Sequence, residues 1–149
     1  MKFTLENVIN SLAGVLTAQY PYPVYENPNQ QGTDFPCFFI FFMPSKVEAH
    51  LDERFLRDLG IDIVFVQQRN LVNGNTEIHK IAQYLDESLE MLPYADGSGK
   101  ISCIRTYERE WQTEDGELHY KFHIRQRVSV PRNDVTMQRM EENSAKVKK

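Results

Sequence analysis

Apolar residues recur at helical spacing near the start of the chain. Leu5, Val8, Ile9, Leu12, Val15 and Leu16 alternate with Glu6, Asn10, Ser11 and Gln19, which predicts an amphipathic helix. Its end is predicted near Tyr20, because Pro21 and Pro23 remove backbone donors and disfavour helical geometry in the residues before them. The polar, turn-rich stretch from Tyr25 to Asp34 reads as an exposed loop. Phe35 to Met43 then runs Phe-Pro-Cys-Phe-Phe-Ile-Phe-Phe-Met, apolar at consecutive positions, as in a strand covered on both faces. Core packing accounts for such a run, and so does one face covered by another subunit. Pro44 interrupts the ladder, and Lys46 to Arg54 reads as an exposed turn or edge ribbon.

A second strand follows, with Leu59, Ile61, Ile63 and Phe65 alternating with Asp58, Gly60, Asp62 and Val64. Asn73-Gly74-Asn75-Thr76 supplies turn residues and an N-cap. Ile78, Ile81, Ala82, Leu85 and Leu89 then predict a second helix running to about Met91. Pro93 and the turn Asp96-Gly97-Ser98-Gly99 close it and lead into a hairpin. The hairpin is the clearest pattern in the chain: Leu118, Tyr120, Phe122, Ile124 and Val128 share one face of a strand, and His119, Lys121, His123, Arg125 and Arg127 share the other. Its partner is Ile101 to Trp111, joined through Asp115-Gly116.

The predicted fold class is α+β: a mixed or antiparallel sheet of about four to five strands packed with two helices, in the order helix, strands, helix, terminal β-hairpin. Residues 1–132 form one domain. Residues 133–149 form a polar tail whose apolar positions are too sparse for a core. A short amphipathic stretch around Met137 and Met140 suits a groove on a partner subunit, and the tail is expected to be ordered by that contact.

Composition narrows the function classes. A chain of 149 residues is the usual size of one domain, and its 41% hydrophobic and 26% charged residues are ordinary for a globular protein. The net charge of −4 opposes wholesale nucleic-acid binding, which relies on a basic surface. Cys37 and Cys103 lie in apolar surroundings and read as buried free thiols in a reducing compartment. The amino terminus lacks a signal-peptide pattern, and no run reaches the roughly 20 apolar residues of a spanning helix, so no membrane partner is expected.

The candidate chemistry is thin. His119 and His123 lie two strand positions apart on one face, a spacing that can hold a metal, but Lys121 and Arg125 flank them and like charge opposes a cation. The basic row admits phosphate binding, with Tyr107 or Trp111 available for stacking. Glu108 and Glu110 in the same hairpin can neutralise it instead. Asp52, Glu53 and Asp58, and Asp86, Glu87 and Glu90, lie where they would simply be solvated. The chain has no glycine-rich phosphate loop, no G-x-S-x-G elbow and no H-E-x-x-H helix. No enzyme activity, cofactor or metal is therefore expected. The candidate interface residues are His119, Lys121, His123, Arg125, Arg127, Trp111, Met137 and Met140.

Four segments together carry a family resemblance: Leu5-Glu6-Asn7-Val8-Ile9-Asn10-Ser11-Leu12, Tyr20-Pro21-Tyr22-Pro23-Val24-Tyr25, Phe35-Pro36-Cys37-Phe38 and Gly60-Ile61-Asp62-Ile63-Val64-Phe65. With the element order, over Phe3 to Pro131, they resemble the tail terminator, or tail-completion, proteins of phages, prophages and phage tail-like particles. The resemblance implies a ring, usually of six subunits, that caps the head-proximal end of the tail tube and offers a surface to the neck. The implied partners are further copies of the chain, the tube protein, a neck or head-completion protein and, in a contractile tail, the sheath protein. The implied location is the bacterial cytoplasm during assembly, then the virion or tail-like particle. Two other readings stay open: a head-completion or connector protein, and a small nucleic-acid-binding module using the basic strand face.

Overall fold

The computed structural model describes residues 2–27, 34–49, 54–68 and 73–129. Helix α1 spans Leu5–Gln19, and Thr4 caps it by accepting the Asn7 N–H at 3.1 Å. Tyr20 is extended, as a residue before proline tends to be, and it closes the helix by donating to the Leu16 carbonyl. The start of α1 is anchored by a residue from the middle of the chain. The buried Tyr94 hydroxyl donates to the Lys2 carbonyl at 2.7 Å and accepts from the Thr4 N–H at 3.0 Å, while Phe3 stacks on the Tyr94 ring.

Seven strands and a second helix follow among the described residues: β1 (Val24–Tyr25), β2 (Cys37–Phe42), β3 (Lys46–Ala49), β4 (Arg54–Val66), α2 (Gly74–Ser88), β5 (Met91–Ala95), β6 (Ile101–Glu114) and β7 (Glu117–Ser129). The sheet order is β1-β2-β4-β7-β6-β5, with β3 also pairing β4. All pairings are antiparallel except β1 with β2. Strands β2 and β3 behave as one strand broken at Pro44. Phe42 faces Ile61 and Lys46 faces Asp58, so the register slips by one residue across the break.

Both helices lie on one face of the sheet. Val8, Leu12 and Leu16 of α1, and Ile78, Ile81 and Leu85 of α2, bury against Phe38, Ile63, Phe65, Leu118, Tyr120 and Phe122. The alternation along β4 and β7 thus selects the core side, as the sequence predicts. Tyr120 reaches the helix layer with a hydroxyl that donates to Asp86 at 2.7 Å, and burial followed by this carboxylate raises its pKa above the usual tyrosine range. Thr106 ties β6 to the end of α2 through the Leu89 carbonyl.

Several expectations are corrected. The sheet has seven strands rather than four to five. Helix α2 ends at Ser88 instead of near Met91, because Met91–Ala95 is a strand whose Leu92 and Tyr94 are buried while Met91, Pro93 and Ala95 are exposed. Ala95 donates its N–H to Ser11 Oγ at 3.2 Å, so the odd positions of β5 aim their amides away from β6, where Pro93 has no donor to lose. Asn73 at the start of α2 sits at φ 64° and makes no side-chain capping bond. Tyr25 belongs to a short strand, not a loop. Phe39 and Phe41 are half-buried, since β2 is covered by helices on one face only. Cys37 is buried, and Cys103 is exposed on β6. The predicted tail, 133–149, with Met137 and Met140, lies outside the described residues, as do Asp52 and Glu53.

Candidate partner-binding face

The side of the sheet away from the helices carries the predicted row. His119, Lys121, His123, Arg125 and Arg127 occupy alternate positions of β7, opposite to Leu118, Tyr120, Phe122 and Ile124, which are buried. Among the described residues no helix crosses this face. The row is not a free cationic strip, because β4 sets carboxylates beside it. His119 Nδ1 lies 3.2 Å from Asp62 Oδ2, and His123 Nδ1 lies 3.0 Å from Asp58 Oδ1. Asp58 also takes Arg125 Nε at 3.5 Å, and Glu108 takes Arg125 Nη2 at 3.0 Å. The hydrogen bond to Glu108 raises the Arg125 pKa further, with the Asp58 charge adding to it.

Of the two carboxylates expected to neutralise the row from β6, Glu108 does so. Glu110 stands opposite Lys121 in register without an ion pair among the described residues. Asp58 and Asp62 were legible as polar positions of β4, yet only the β4–β7 register shows that they face the row. The Arg125 pairs are exposed and contribute little stability, whereas the His119–Asp62 and His123–Asp58 pairs are part-buried. Their main effect is on the field: carboxylates of Asp58, Asp62, Glu108, Glu110 and Glu117 stand among Lys121, Arg125, Arg127 and the two imidazoles.

The two aromatic residues proposed for stacking are separated by a bulge. Tyr107 faces His123 and Glu110 faces Lys121, so two residues, Glu108 and Arg109, oppose Phe122 alone. Glu108 adopts φ 54° at this point. Tyr107 therefore stays on the face of the row, under the Arg125 guanidinium at 5.1 Å. Trp111 is turned to the helix side, where its half-exposed ring lies 5.9 Å from His79 of α2. Arg109 turns the same way and donates to the Asp86 carbonyl at 2.6 Å. In a regular strand residues 107 and 111 share a face; nothing in the sequence near Glu108 announces the bulge, since no glycine marks it.

Apolar groups flank the charged centre at both ends of the sheet. On β1 and β2, Tyr25 packs on Phe39 at 5.6 Å and Phe39 stacks on Phe41 at 5.7 Å, with Phe35 exposed beside them. On β5 and β6, Pro93 faces Cys103 and Ala95 faces Ile101, all exposed, and Met91 joins them. Sequence reasoning missed this second patch because β5 was read as the end of a helix.

No catalytic arrangement comes together among the described residues. Among the described residues there is no group of His, Cys, Asp and Glu able to hold a metal ion, and no helix is long and apolar enough to cross a membrane. The broad groove between the β6–β7 turn and the start of α2 is lined by the amides of Gln67, Gln68, Asn73 and Asn75, the Thr76 hydroxyl and the carboxylates of Asp115 and Glu117, beside Phe35 and Val66. What the geometry offers is a broad sheet face of mixed apolar and charged groups.

A family described as phage tail terminator protein matches residues 7–136. No curated protein matches the chain.

Proposed function

We propose a function from one premise: the chain belongs to the phage tail terminator family. Such a family is structural, a component of the virion, and does its work by fitting surfaces together. The chain assembles into a homo-oligomeric ring of six copies. The ring caps the head-proximal end of a tail tube, stops its polymerisation and presents its other side to a neck or head-completion protein, with a sheath protein alongside if the tail contracts. It acts in the bacterial cytoplasm during assembly and then as part of the virion or tail-like particle.

The observation that carries this reading is the family match over nearly the whole folded region. It is supported by a sheet face that carries apolar and charged groups and has no helix over it among the described residues. In a ring, each copy needs an edge contact that closes, one surface for the tube and one for the neck. Lys121 and Arg127, which have no ion pair among the described residues, are the members of the basic row available to a neighbour. The nucleic-acid alternative is weakened by Asp58, Asp62 and Glu108, which set negative charge against the strip that phosphates would need.

Solution mass, by light scattering or native mass spectrometry, tests the reading. The purified protein is expected to give a closed oligomer either alone or on addition of the tube protein. A monomer under both conditions would remove the ring.

A further inference from the structure

The two apolar patches differ in the charges around them. Beside Met91, Pro93, Ala95, Ile101 and Cys103 stand Lys100 and Arg105, both exposed and without an ion pair among the described residues. Of the nearby carboxylates, Asp96 is turned into its own loop, where the Ser98 hydroxyl and N–H hold its pKa down at about 2, and Glu90 is exposed at the position before Met91. Beside Tyr25, Phe35, Phe39 and Phe41 stand Glu26 and Asp34, again exposed and without an ion pair among the described residues.

One patch is thus apolar with a basic rim, and the other is aromatic with an acidic rim. They lie at opposite ends of the strand order, five steps apart. With the usual twist between neighbouring strands, the sheet normal turns by roughly 100° over those steps, so the two ends face different directions. A surface that complements a different surface on the same molecule makes a head-to-tail contact, and such a contact forms a ring when its rotation closes.

We infer that the β5–β6 patch of one copy packs on the β1–β2 aromatic patch of the next, with Lys100 and Arg105 opposite Glu26 and Asp34. This names the subunit contact of the ring and rests on the ring reading above. Ile101, 74% exposed, is the apolar centre of the basic-rimmed side. Exposed apolar side chains on a strand pair at a sheet end are a liability for a lone protomer, and the contact removes it. The charged rims set the order of the two patches, since like rims repel when identical patches meet.

Two variants separate the halves of the contact. Ile101→Asp disables the β5–β6 patch, and the double change Glu26→Lys with Asp34→Lys disables the other; all three residues are exposed, and melting curves check that both proteins fold. Each variant alone is expected to lose the wild-type oligomer, with the protomer concentration needed for assembly raised at least about tenfold. Mixed together, they retain one good patch each and are expected to form a dimer with one copy of each that grows no further. Alkylation of Cys103 by iodoacetamide gives a second readout: protected in the wild-type oligomer, reactive in Ile101→Asp, with the buried Cys37 silent in both.

An Ile101→Asp protein that forms the wild-type oligomer overturns this contact and leaves the ring reading standing. The same holds if that variant forms the ring but no longer caps the tube, which assigns the patch to the tube protein. A mixture that stays monomeric, or a Glu26→Lys/Asp34→Lys protein that dimerises with itself, also overturns it. A wild-type protein that is monomeric with and without tube protein removes the contact and the ring together.

Discussion

Truncating two phenylalanines on opposite faces of the sheet tests the architecture on which the function rests. Phe65 is fully buried on the helix side, with Phe38 at 5.2 Å and Tyr22 at 5.7 Å between ring centres. Phe65→Ala removes the ring from a closed core, and the cost is about 3–5 kcal/mol, the transfer loss plus the cavity left behind. For a domain of this size that lowers the melting temperature by roughly 10–20 °C. Phe41 lies on the other face, half-buried and stacked on Phe39. Phe41→Ala leaves no enclosed cavity, because part of the ring already meets water, and it is expected to cost about 1–2 kcal/mol. Denaturant titration at a dilution where the protein is monomeric measures both. Equal costs would mean that the outer face is covered within the protomer. The reasoning that gives that face to a partner would then be refuted.

Other expectations follow from named groups. The folded state holds protons on Tyr120, whose pKa is raised, and on Cys37, whose thiol burial pushes up to about 11. In the unfolded chain both ionise earlier, so stability is full below about pH 9 and falls as pH rises from there; Tyr120→Phe should flatten the alkaline limb of a plot of Tm against pH, and an unchanged limb would exclude the tyrosine as its source. Replacing Asp58, Asp62 and Glu108 with their amides should unmask the basic row and produce salt-sensitive binding to random duplex DNA that the wild type lacks; equal binding by both proteins would contradict the neutralised row. Deleting residues 133–149 should leave the melting transition in place and weaken assembly, which sedimentation of the truncated chain would show; a large loss of Tm would mean that the tail packs on its own domain.

Much of the fold was legible where a single physical cause dominates. Period-two alternation in β4 and β7 places Leu59, Ile61, Ile63, Phe65, Leu118, Tyr120 and Phe122 in the core, and Pro21 ends α1 at Tyr20. Strand β5 was hidden because Leu89 continues the helical period and Pro93 argues against a strand. The proline is tolerated only because that edge of β5 needs no amide there. The bulge at Glu108 and Arg109 left no mark in the sequence, and it sends Trp111 to the other side of the sheet from Tyr107. The row on β7 could be read from alternation alone; its partners Asp58 and Asp62 come from another strand, and only the register brings them together. Cys103 was misplaced for a related reason: Ser102 and Ile104, not their neighbours, point inward on β6.

The central claim is that this chain stops a tail tube at one end, and electron microscopy of assembled tubes carrying a gold-labelled copy tests it most directly. The account predicts label at a single end of each tube, the one that meets the head, and tubes that lengthen without limit when the protein is left out. Label spread along the tube wall, or tubes of the same length with and without the protein, would contradict it.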